Sequence, residues 1–288
     1  MTPLPHLPAG AWSQVHGVFT DIDDTLTRDG EIAPEALRAL HDLRRAGHTV
    51  IAVTGRPVGW SEPGARHWPL DTLVAENGAV ALVRASRLSP AQIATLPVDH
   101  MERTEARDDQ DALLKFYQQD ADTRARNHAR LQQVSARVQR EVLGALPARD
   151  SAGRETDIAI DHSEFAHLSE AQIAQVVAVM RGAGLNASVS SIHVNGWIGD
   201  HDKWQGACWI TRTLLGRELP DEVERWIYVG DSTNDQVMFQ HFTHSVGVAN
   251  IRRFEAQLQY KPRYVTQGER GAGFAEVANA LLAQRGSA

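Results

Sequence analysis

The chain has 288 residues, of which 42% are hydrophobic and 23% charged, and 29 basic and 36 acidic residues give a net charge of −7. This composition is typical of a globular protein with a sizeable core, and the length corresponds to about two domains. The acidic balance argues against nucleic acid and anionic membranes as partners, because both require a basic surface. Cys208 is the single cysteine, which excludes an intramolecular disulfide. We find neither a signal peptide nor an apolar run of about 18–20 residues, so we expect a cytoplasmic protein without membrane segments.

The first part of the chain alternates between strand and helix patterns. An apolar strand is predicted at 17–20, and a helix follows at 33–47, with Pro34 in its first turn and Gly47 at its end. Strands are then predicted at 48–55 and at 71–82, the latter broken by an Asn-Gly turn. Strand, helix and strand in alternation indicate parallel βαβ units and hence an α/β fold.

The pattern changes between about 84 and 200. Residues 108–146 are predicted to be helical, and the charged run 110–141 within them is typical of a solvated face. A strand at 156–162, a helix at 168–184 with a Ser169/Gln172 capping box, and a strand at 186–195 follow. Half-polar strands mixed with helices indicate an α+β domain with one exposed sheet face.

Strand and helix alternation resumes after residue 200 and ends in an amphipathic helix at about 271–284. We therefore predict a doubly wound parallel-sheet core formed by residues 1–83 and 200–288. An α+β cap domain, residues 84–199, is predicted to be inserted into this core after the third strand.

Four polar segments fall at or near the carboxyl ends of predicted strands, where ligands bind in open parallel sheets. They are DIDDT at 21–25, TGR at 54–56, Lys203, and GDSTND at 230–235. Each alone has a structural alternative: turn-forming aspartates, a common turn, a surface lysine, and a loop with a helix cap. Their joint occurrence, in order on a βα framework, favours one shared site.

Such a set of residues supports phosphoryl transfer. Clustered carboxylates are tolerable around a hard cation, and Mg²⁺ takes one or two carboxylates with water and phosphate oxygens. Asp21 and Asp231 can supply that pair, and Asp21 can also attack phosphorus to form an acyl-phosphate. Asp23, two residues on, can protonate the leaving oxygen and then deprotonate the hydrolytic water. Lys203, Thr54 and nearby backbone N–H groups can bind the phosphoryl oxygens.

The four segments resemble the motifs of the haloacid dehalogenase-like phosphohydrolase superfamily: DxDxT, a Ser or Thr after strand two, a Lys, and GDxxxD. The stretches AENGA (75–79), VGVAN (246–250) and GERGAG (268–273) look like the IIB subclass of Cof-like and sucrose-phosphatase-like sugar-phosphate phosphatases. The position of the insert agrees with that subclass. The resemblance covers about 1–83 and 200–288 and is weak across the insert; it implies a Rossmann-like core beneath a cap.

The resemblance also implies individual roles. Asp21 would be the nucleophile and a metal ligand, and Asp23 the acid/base, with its backbone carbonyl on the metal. Asp231 would be the acidic metal ligand and Asp235 a carboxylate that orients the ligands. The residues implied for phosphate binding are Thr54, Gly55, Lys203 and Asn234.

The sequence departs from the family pattern at two points. Asp24 stands where the family often has glycine, and we expect its side chain to point away from the phosphoryl group, since another negative charge opposes phosphate binding. The motif GDSTND differs from the one usual in trehalose-phosphate phosphatases, which disfavours trehalose phosphate as the substrate.

Residues in or beside the predicted cap strands are candidates for contact with the non-phosphate part of the substrate. They are Arg154, His162, His193, Asn195 and Trp197. Trp197 and Trp204 could stack on a sugar face, and internal packing is the commoner alternative.

We therefore expect a Mg²⁺-dependent phosphatase, a monomer or homodimer, that acts on a small phosphorylated metabolite, and we favour a sugar phosphate. One alternative is a phosphotransferase or mutase on the same scaffold, in which a substrate hydroxyl replaces water. The others are a phospho-acceptor module similar to a response-regulator receiver, and a binding module without activity. The large cap and the spacing of Asp21 and Asp23 argue against a receiver, and the presence of both carboxylates argues against a silent module.

Overall fold

The computed structural model describes residues 1–94, 98–105 and 111–285. The strands within these ranges are β1 (Thr2–Pro3), β2 (Gly17–Thr20), β3 (Thr27–Arg28), β4 (Glu31–Ile32), β5 (Thr49–Val53), β6 (Thr72–Ala75), β7 (Val80–Arg84), β8 (Met101–Arg103), β9 (Leu113–Tyr117), β10 (Leu146–Pro147), β11 (Asp157–Asp161), β12 (Asn186–Val189), β13 (His193–Trp197), β14 (Trp226–Gly230), β15 (His244–Gly247) and β16 (Tyr264–Val265). The α-helices are α1 (Pro34–Arg45), α2 (Val58–His67), α3 (Pro90–Ala94), α4 (Ala121–Glu141), α5 (Glu170–Gly182), α6 (Lys203–Leu215), α7 (Gln236–His241) and α8 (Arg270–Arg285).

A large mixed sheet forms the centre of the molecule, with strand order β1-β16-β15-β14-β2-β5-β6-β7-β9-β8. Neighbouring strands from β1 to β6 pair in parallel, and β7, β9 and β8 continue the sheet in antiparallel pairing. Strand β2 lies between β14 and β5, so the carboxyl ends of these three strands meet at one edge. The predicted α/β fold with a parallel sheet is confirmed.

Helices cover both faces of this sheet because its strands alternate between two apolar cores. In β2, Val18 belongs to the core under α1 and α8, whereas Phe19 belongs to the core under α6 and α7. Helix α1 buries Leu40 and Leu43 on one stripe and begins, as predicted, with Pro34. The arrangement leaves the loops after the strands as the exposed edge on which polar groups can converge.

A second sheet, with order β10-β11-β13-β12 and antiparallel pairing, carries α4 and α5 on one face. The predicted helix at 168–184 is confirmed with its capping box, in which Ser169 and Gln172 bond each other's backbone N–H groups. The single strand predicted at 186–195 is wrong. It is a hairpin, because Ser190 turns the chain by bonding the backbone of His193 in both directions.

The continuous helix predicted at 108–146 is also wrong over part of its length. Residues 113–117 form strand β9, whose apolar side chains are buried against β7, and helix α4 begins only after the Asp120 cap, which accepts the Thr123 N–H at 2.8 Å. Residues 108–110 of that prediction lie outside the described residues. Periodicity failed here because a short apolar strand precedes a charged helix without a strong break.

Strands β8 and β9 belong to the large sheet, although they fall within residues 84–199, which the sequence analysis assigns to the insert. We propose on this ground that the cap domain begins near Ala121, after the Asp120 cap, and returns to the core near Lys203. Within the described ranges, no helix combines the length and apolar character needed to cross a bilayer.

Candidate active site

Three strand ends converge at the candidate site. Asp21 directly follows β2 and its N–H bonds Val229 O of β14 at 2.8 Å, while Thr54 follows β5 and its N–H bonds Val74 O at 2.8 Å. Asp231 follows β14. Because parallel strands end at the same edge, polar residues that are over 200 positions apart become neighbours.

Lys203 joins two buried carboxylates at this edge. Its Nζ lies 2.7 Å from Asp21 Oδ1 and 2.7 Å from Asp235 Oδ1, and all three side chains are buried. Burial acts to lower the pKa of Lys203, but the two carboxylates raise it above its ordinary value, so the ammonium is charged. Burial raises the pKa of Asp21, against the opposing effect of Lys203.

Asp235 organises the loop of the last motif. Its Oδ2 accepts the N–H groups of Asp231 at 2.8 Å and Ser232 at 3.1 Å, and its Oδ1 accepts the Tyr228 hydroxyl in addition to Lys203. Both carboxylate oxygens are therefore occupied by donors, which leaves little capacity for a metal ion.

Asp231 is different, because one of its oxygens has no partner among the described residues. Asn250 Nδ2 donates to Asp231 Oδ2 at 3.0 Å, whereas Asp231 Oδ1 is buried and none of those residues bonds it. Burial and the carboxylates of Asp235 and Asp21 raise the pKa of Asp231 well above its ordinary value. An unpaired buried carboxylate oxygen is costly unless a cation accompanies it.

The residues present fit a metal ion. Asp21, Asp231 and Asp235 each place one carboxylate oxygen within 4.8 Å of the others. Asp231 also carries a buried oxygen that has no hydrogen bond to the described residues, and such hard oxygen donors suit a hard divalent cation. A bound cation would reverse the local electrostatics that otherwise disfavour three ionised carboxylates.

Asp23 lies beside this cluster and pairs with Arg56, whose role the TGR motif alone does not reveal. Arg56 Nε lies 2.9 and 3.0 Å from the two carboxylate oxygens of Asp23. Burial raises the pKa of Asp23, while Arg56 acts to lower it. Both residues border a cavity of about 370 Å³ between the core and the insert, lined by Asp23, Asp24, Thr27, Asp29, Gly30, Arg56, Ser163, Glu164, Phe165, Ser191, Ile192, Arg253 and Arg270.

Asp24 has a left-handed backbone, with φ of 54°, because the strand ends at Thr20 and the N–H groups of the next turn return to Ile22 O. This conformation favours glycine, which explains the family's preference at this position. The side chain of Asp24 lies 2.9 Å from Arg270 Nε, and its carbonyl accepts Asn250 Nδ2 at 3.0 Å. Arg270 lies in the GERGAG stretch, the only signal that could have pointed to it.

The predicted phosphate-binding residues occupy the same edge. Thr54 is fully buried, and its Oγ1 accepts the Arg56 N–H at 3.1 Å. A Cβ added to Gly55 would lie 3.2 Å from Asn77 Oδ1, so the loop has little room for a larger residue. Asn234 accepts the Ser232 hydroxyl at 2.8 Å and borders a second cavity of about 170 Å³ together with Lys203.

The cap candidates divide into two groups. Arg154 and Asn195 donate to Gly55 O at 3.1 and 3.3 Å and also bond Asp157, so they bind the insert to the core loop. His193 Nε2 lies 3.0 Å from Glu164 Oε2 at the larger cavity, and Trp197 borders the smaller one.

The two remaining aromatic candidates, His162 and Trp204, make contacts with other side chains or backbone groups of the protein. His162 Nε2 lies 3.1 Å from Ser190 O. Trp204 stacks on His241, with ring centroids 4.3 Å apart, in agreement with the packing alternative.

Glu76 and Asn77, both in the AENGA stretch, are further residues of the site region, and the sequence indicated no role for them. Both have left-handed φ values, 50° and 55°. The buried Glu76 carboxylate accepts the N–H groups of Val58, Glu155 and Thr156 and the Thr156 hydroxyl, and it thereby joins the core to the insert. Its partners lie up to 80 positions away, which no local pattern reveals.

Comparisons with known proteins agree with the fold. A family model described as haloacid dehalogenase-like hydrolase matches residues 18–133, whereas no curated protein gives a match. Among solved structures, Thermoplasma acidophilum 0175 is similar with a TM-score of 0.65 and 14% identity, covering 93% of this chain and 98% of that one. The sucrose-phosphatase of Synechocystis sp. PCC6803, solved with sucrose and phosphate, is similar with a TM-score of 0.59 and 14% identity, with the same coverage of 93% and 98%. At this identity the two structures support the fold. The sequence match, over residues 18–133, is to a hydrolase family and supports both the family resemblance and the enzymatic nature predicted from the four motifs.

Proposed function

We propose that this chain is a Mg²⁺-dependent phosphatase that hydrolyses a small phosphorylated metabolite, a sugar phosphate in our preferred form, through an aspartyl-phosphate on Asp21. One observation carries the proposal. The buried Asp21 carboxylate is bonded by the Lys203 ammonium at 2.7 Å and lies in one oxygen cluster with Asp231, whose Oδ1 has no hydrogen bond to the described residues. This arrangement suits a nucleophile that works between two positive charges.

The carboxylates of Asp21 and Asp231 and the backbone carbonyl of Asp23 would hold the ion, which when bound supplies positive charge to the phosphoryl oxygens and the leaving group. Asp235 has donors on both oxygens, so we assign it to holding Lys203 and the loop. Lys203, Thr54, Asn234 and the backbone at Gly55 would bind the phosphoryl oxygens.

The chain's own residues account for both half-reactions. An Asp21 oxygen attacks phosphorus, the bond to the leaving oxygen breaks, and the protonated Asp23 carboxyl gives that oxygen a proton. Water then attacks the phosphorus and loses a proton to Asp23, and the bond from Asp21 breaks to release inorganic phosphate. Burial raises the pKa of Asp23, which favours the protonated form that the first half requires.

The larger cavity supports a small polyhydroxylated substrate. Its volume of about 370 Å³ falls in the range of small-molecule sites. Carboxylates and the hydroxyls of Ser163 and Ser191 line it, together with Phe165, and such groups suit hydroxyl-rich rings. We propose that the insert acts as the cap over this cavity. The cytoplasmic location and the oligomeric state, a monomer or a homodimer, remain predictions from the sequence.

The test is phosphate release from a panel of phosphorylated metabolites, with Mg²⁺ and with a chelator. We expect Mg²⁺-dependent release with water as the only acceptor. Asp21→Asn should abolish turnover with an unchanged circular dichroism spectrum, and Asp122→Asn, an exposed aspartate of the insert, should not. Turnover in Asp21→Asn would refute the nucleophile assignment. Transfer that requires an added acceptor hydroxyl would instead favour the phosphotransferase or mutase.

A further inference from the structure

Arg56 connects three carboxylates that lie on different parts of the chain. Its backbone is fixed in the core, where its N–H bonds Thr54 Oγ1 at 3.1 Å and its carbonyl accepts the Glu76 N–H at 3.0 Å. Its side chain is only 5% exposed, yet it reaches from Asp23 in the core to Asp150 and Glu164 in the insert.

The guanidinium donates to all three carboxylates, and Nη1 also lies 3.4 Å from Glu164 Oε2. Nε bonds both oxygens of Asp23, Nη1 lies 3.2 Å from Asp150 Oδ2, and Nη2 lies 2.9 Å from Glu164 Oε1. The group is planar and its five N–H donors have fixed directions. The Trp60 ring, whose centroid lies 4.8 Å from the guanidinium carbon, limits its movement further. The orientation of the Asp23 carboxylate is therefore tied to the position of two carboxylates of the insert.

The insert side of this contact is itself well ordered by hydrogen bonds. Asp161 accepts the N–H groups of the next turn, residues 163–166, at 2.9–3.1 Å and so fixes the turn that carries Glu164. His193 Nε2 lies 3.0 Å from the second oxygen of Glu164. Partial burial acts to raise the pKa of Glu164, but the hydrogen bonds from His193 and Arg56 lower it to about 2. This partner of Arg56 is therefore ionised.

We propose that Arg56 is a positioning residue that makes the orientation of Asp23 depend on the docked insert. The proposal rests on the function proposed above, in which Asp23 protonates the leaving oxygen. With Asp150 and Glu164 in place, the Nε edge of Arg56 faces Asp23 and holds its carboxyl group at the reacting centre. Without them, the guanidinium loses its fixed direction and so does Asp23. His193 acts one step further out, on Glu164.

A leaving-group comparison tests this role. Departure of 4-nitrophenolate needs little proton donation, whereas departure of phenolate, whose conjugate acid resembles tyrosine with a pKa near 10, depends on the acid. Arg56→Lys keeps the charge but lacks the planar fork. We expect this variant to lose at least about tenfold more kcat/KM on phenyl phosphate than on 4-nitrophenyl phosphate. The kcat/KM value reports the step in which the leaving group departs, to which general acid catalysis contributes roughly 10²–10⁴-fold.

Glu164→Gln provides a second variant at a half-buried position, so the test does not depend on how well the buried Arg56→Lys folds. It should shift the ratio of the two kcat/KM values in the same direction by a smaller factor. Arg45→Lys, at an exposed arginine of α1, is the matched control and should leave the ratio unchanged.

Two outcomes overturn the inference: equal losses of kcat/KM on both esters, or a loss in Arg56→Lys no larger than that in Arg45→Lys. In each case the leaving-group dependence on which the role rests is absent. The proposed function is judged separately by the metabolite panel and by Asp21→Asn, so the two failures are distinguishable.

Discussion

Glu76 is the buried carboxylate whose replacement should be most damaging to the contact between core and insert. Its Oε1 accepts the N–H groups of Val58 at 3.0 Å and Glu155 at 2.9 Å. Its Oε2 accepts the N–H of Thr156 at 2.6 Å and the Thr156 hydroxyl. Burial raises the pKa of Glu76. Hydrogen bonds from Thr156 and from the backbone N–H groups of Glu155 and Val58 oppose this shift, so we expect Glu76 to be ionised at neutral pH.

Glu76→Gln keeps the shape but exchanges one acceptor oxygen for an NH₂ group. The remaining oxygen can still accept two of the four hydrogen bonds, whereas the NH₂ group faces two donors. Two hydrogen bonds to a charged group, at about 1.5–3 kcal/mol each, correspond to a loss of about 3–6 kcal/mol in the free energy of unfolding. The left-handed backbone at Glu76 adds to the effect, because this strained turn depends on the same hydrogen bonds.

The assay is urea unfolding followed by tryptophan fluorescence, supported by the melting temperature. Glu31→Gln, at an exposed glutamate of the core, is the control and should change the free energy of unfolding by less than about 0.5 kcal/mol. A loss below about 1 kcal/mol in Glu76→Gln would refute the reasoning, since the carboxyl group would then be protonated or its hydrogen bonds weak.

Three further outcomes are expected. Asp231→Asn should weaken Mg²⁺ binding, measured by calorimetry, at least about tenfold, since even outer-shell partners contribute that much; equal affinity would contradict the ligand assignment. Asp24→Gly should change the free energy of unfolding by less than about 1 kcal/mol, because relief of the left-handed φ offsets the lost pair with Arg270, itself worth about 0.2–1 kcal/mol; a loss above about 2 kcal/mol would show that the pair dominates. Burial, opposed by Asp200, lowers the pKa of His201 to about 4. Between that pH and about 6.5 the unfolded chain binds more protons, so stability should fall by up to about 3 kcal/mol on acidification. His201→Gln should reduce this loss of unfolding free energy on acidification. A pH dependence of stability equal to that of the wild type would contradict the role of His201.

The core of the site could be predicted from the sequence because the order and direction of the strands determine which residues meet there. Carboxyl ends of parallel strands meet at one edge, so motifs placed after β2, β5 and β14 had to converge, and Asp21, Thr54 and Asp231 do so. Lys203 was predicted as one of four segments near strand ends, and the structure shows why it reaches the site: it opens helix α6 immediately after the Asp202 cap.

What could not be predicted are the partners that come from distant segments. Arg56 meets Asp150 and Glu164 across 94 and 108 positions, in an insert where the family resemblance is weak. Strand β9 was missed for a related reason: its pairing with β7, and not its local pattern, makes it a strand. Local periodicity describes single elements, whereas these features arise from the docking of one element on another.

The clustering of aspartates at 21–24 follows from the same docking. Each has a cation from a different segment: Lys203 for Asp21, Arg56 for Asp23 and Arg270 for Asp24. The repulsion between neighbouring carboxylates is thus offset only in the folded chain, and the three groups are held in different directions. Around Lys203, however, the three carboxylates of the oxygen cluster face a single ammonium, which leaves two negative charges unbalanced. A divalent cation supplies that difference, and its removal should therefore destabilise the site as well as stop the reaction.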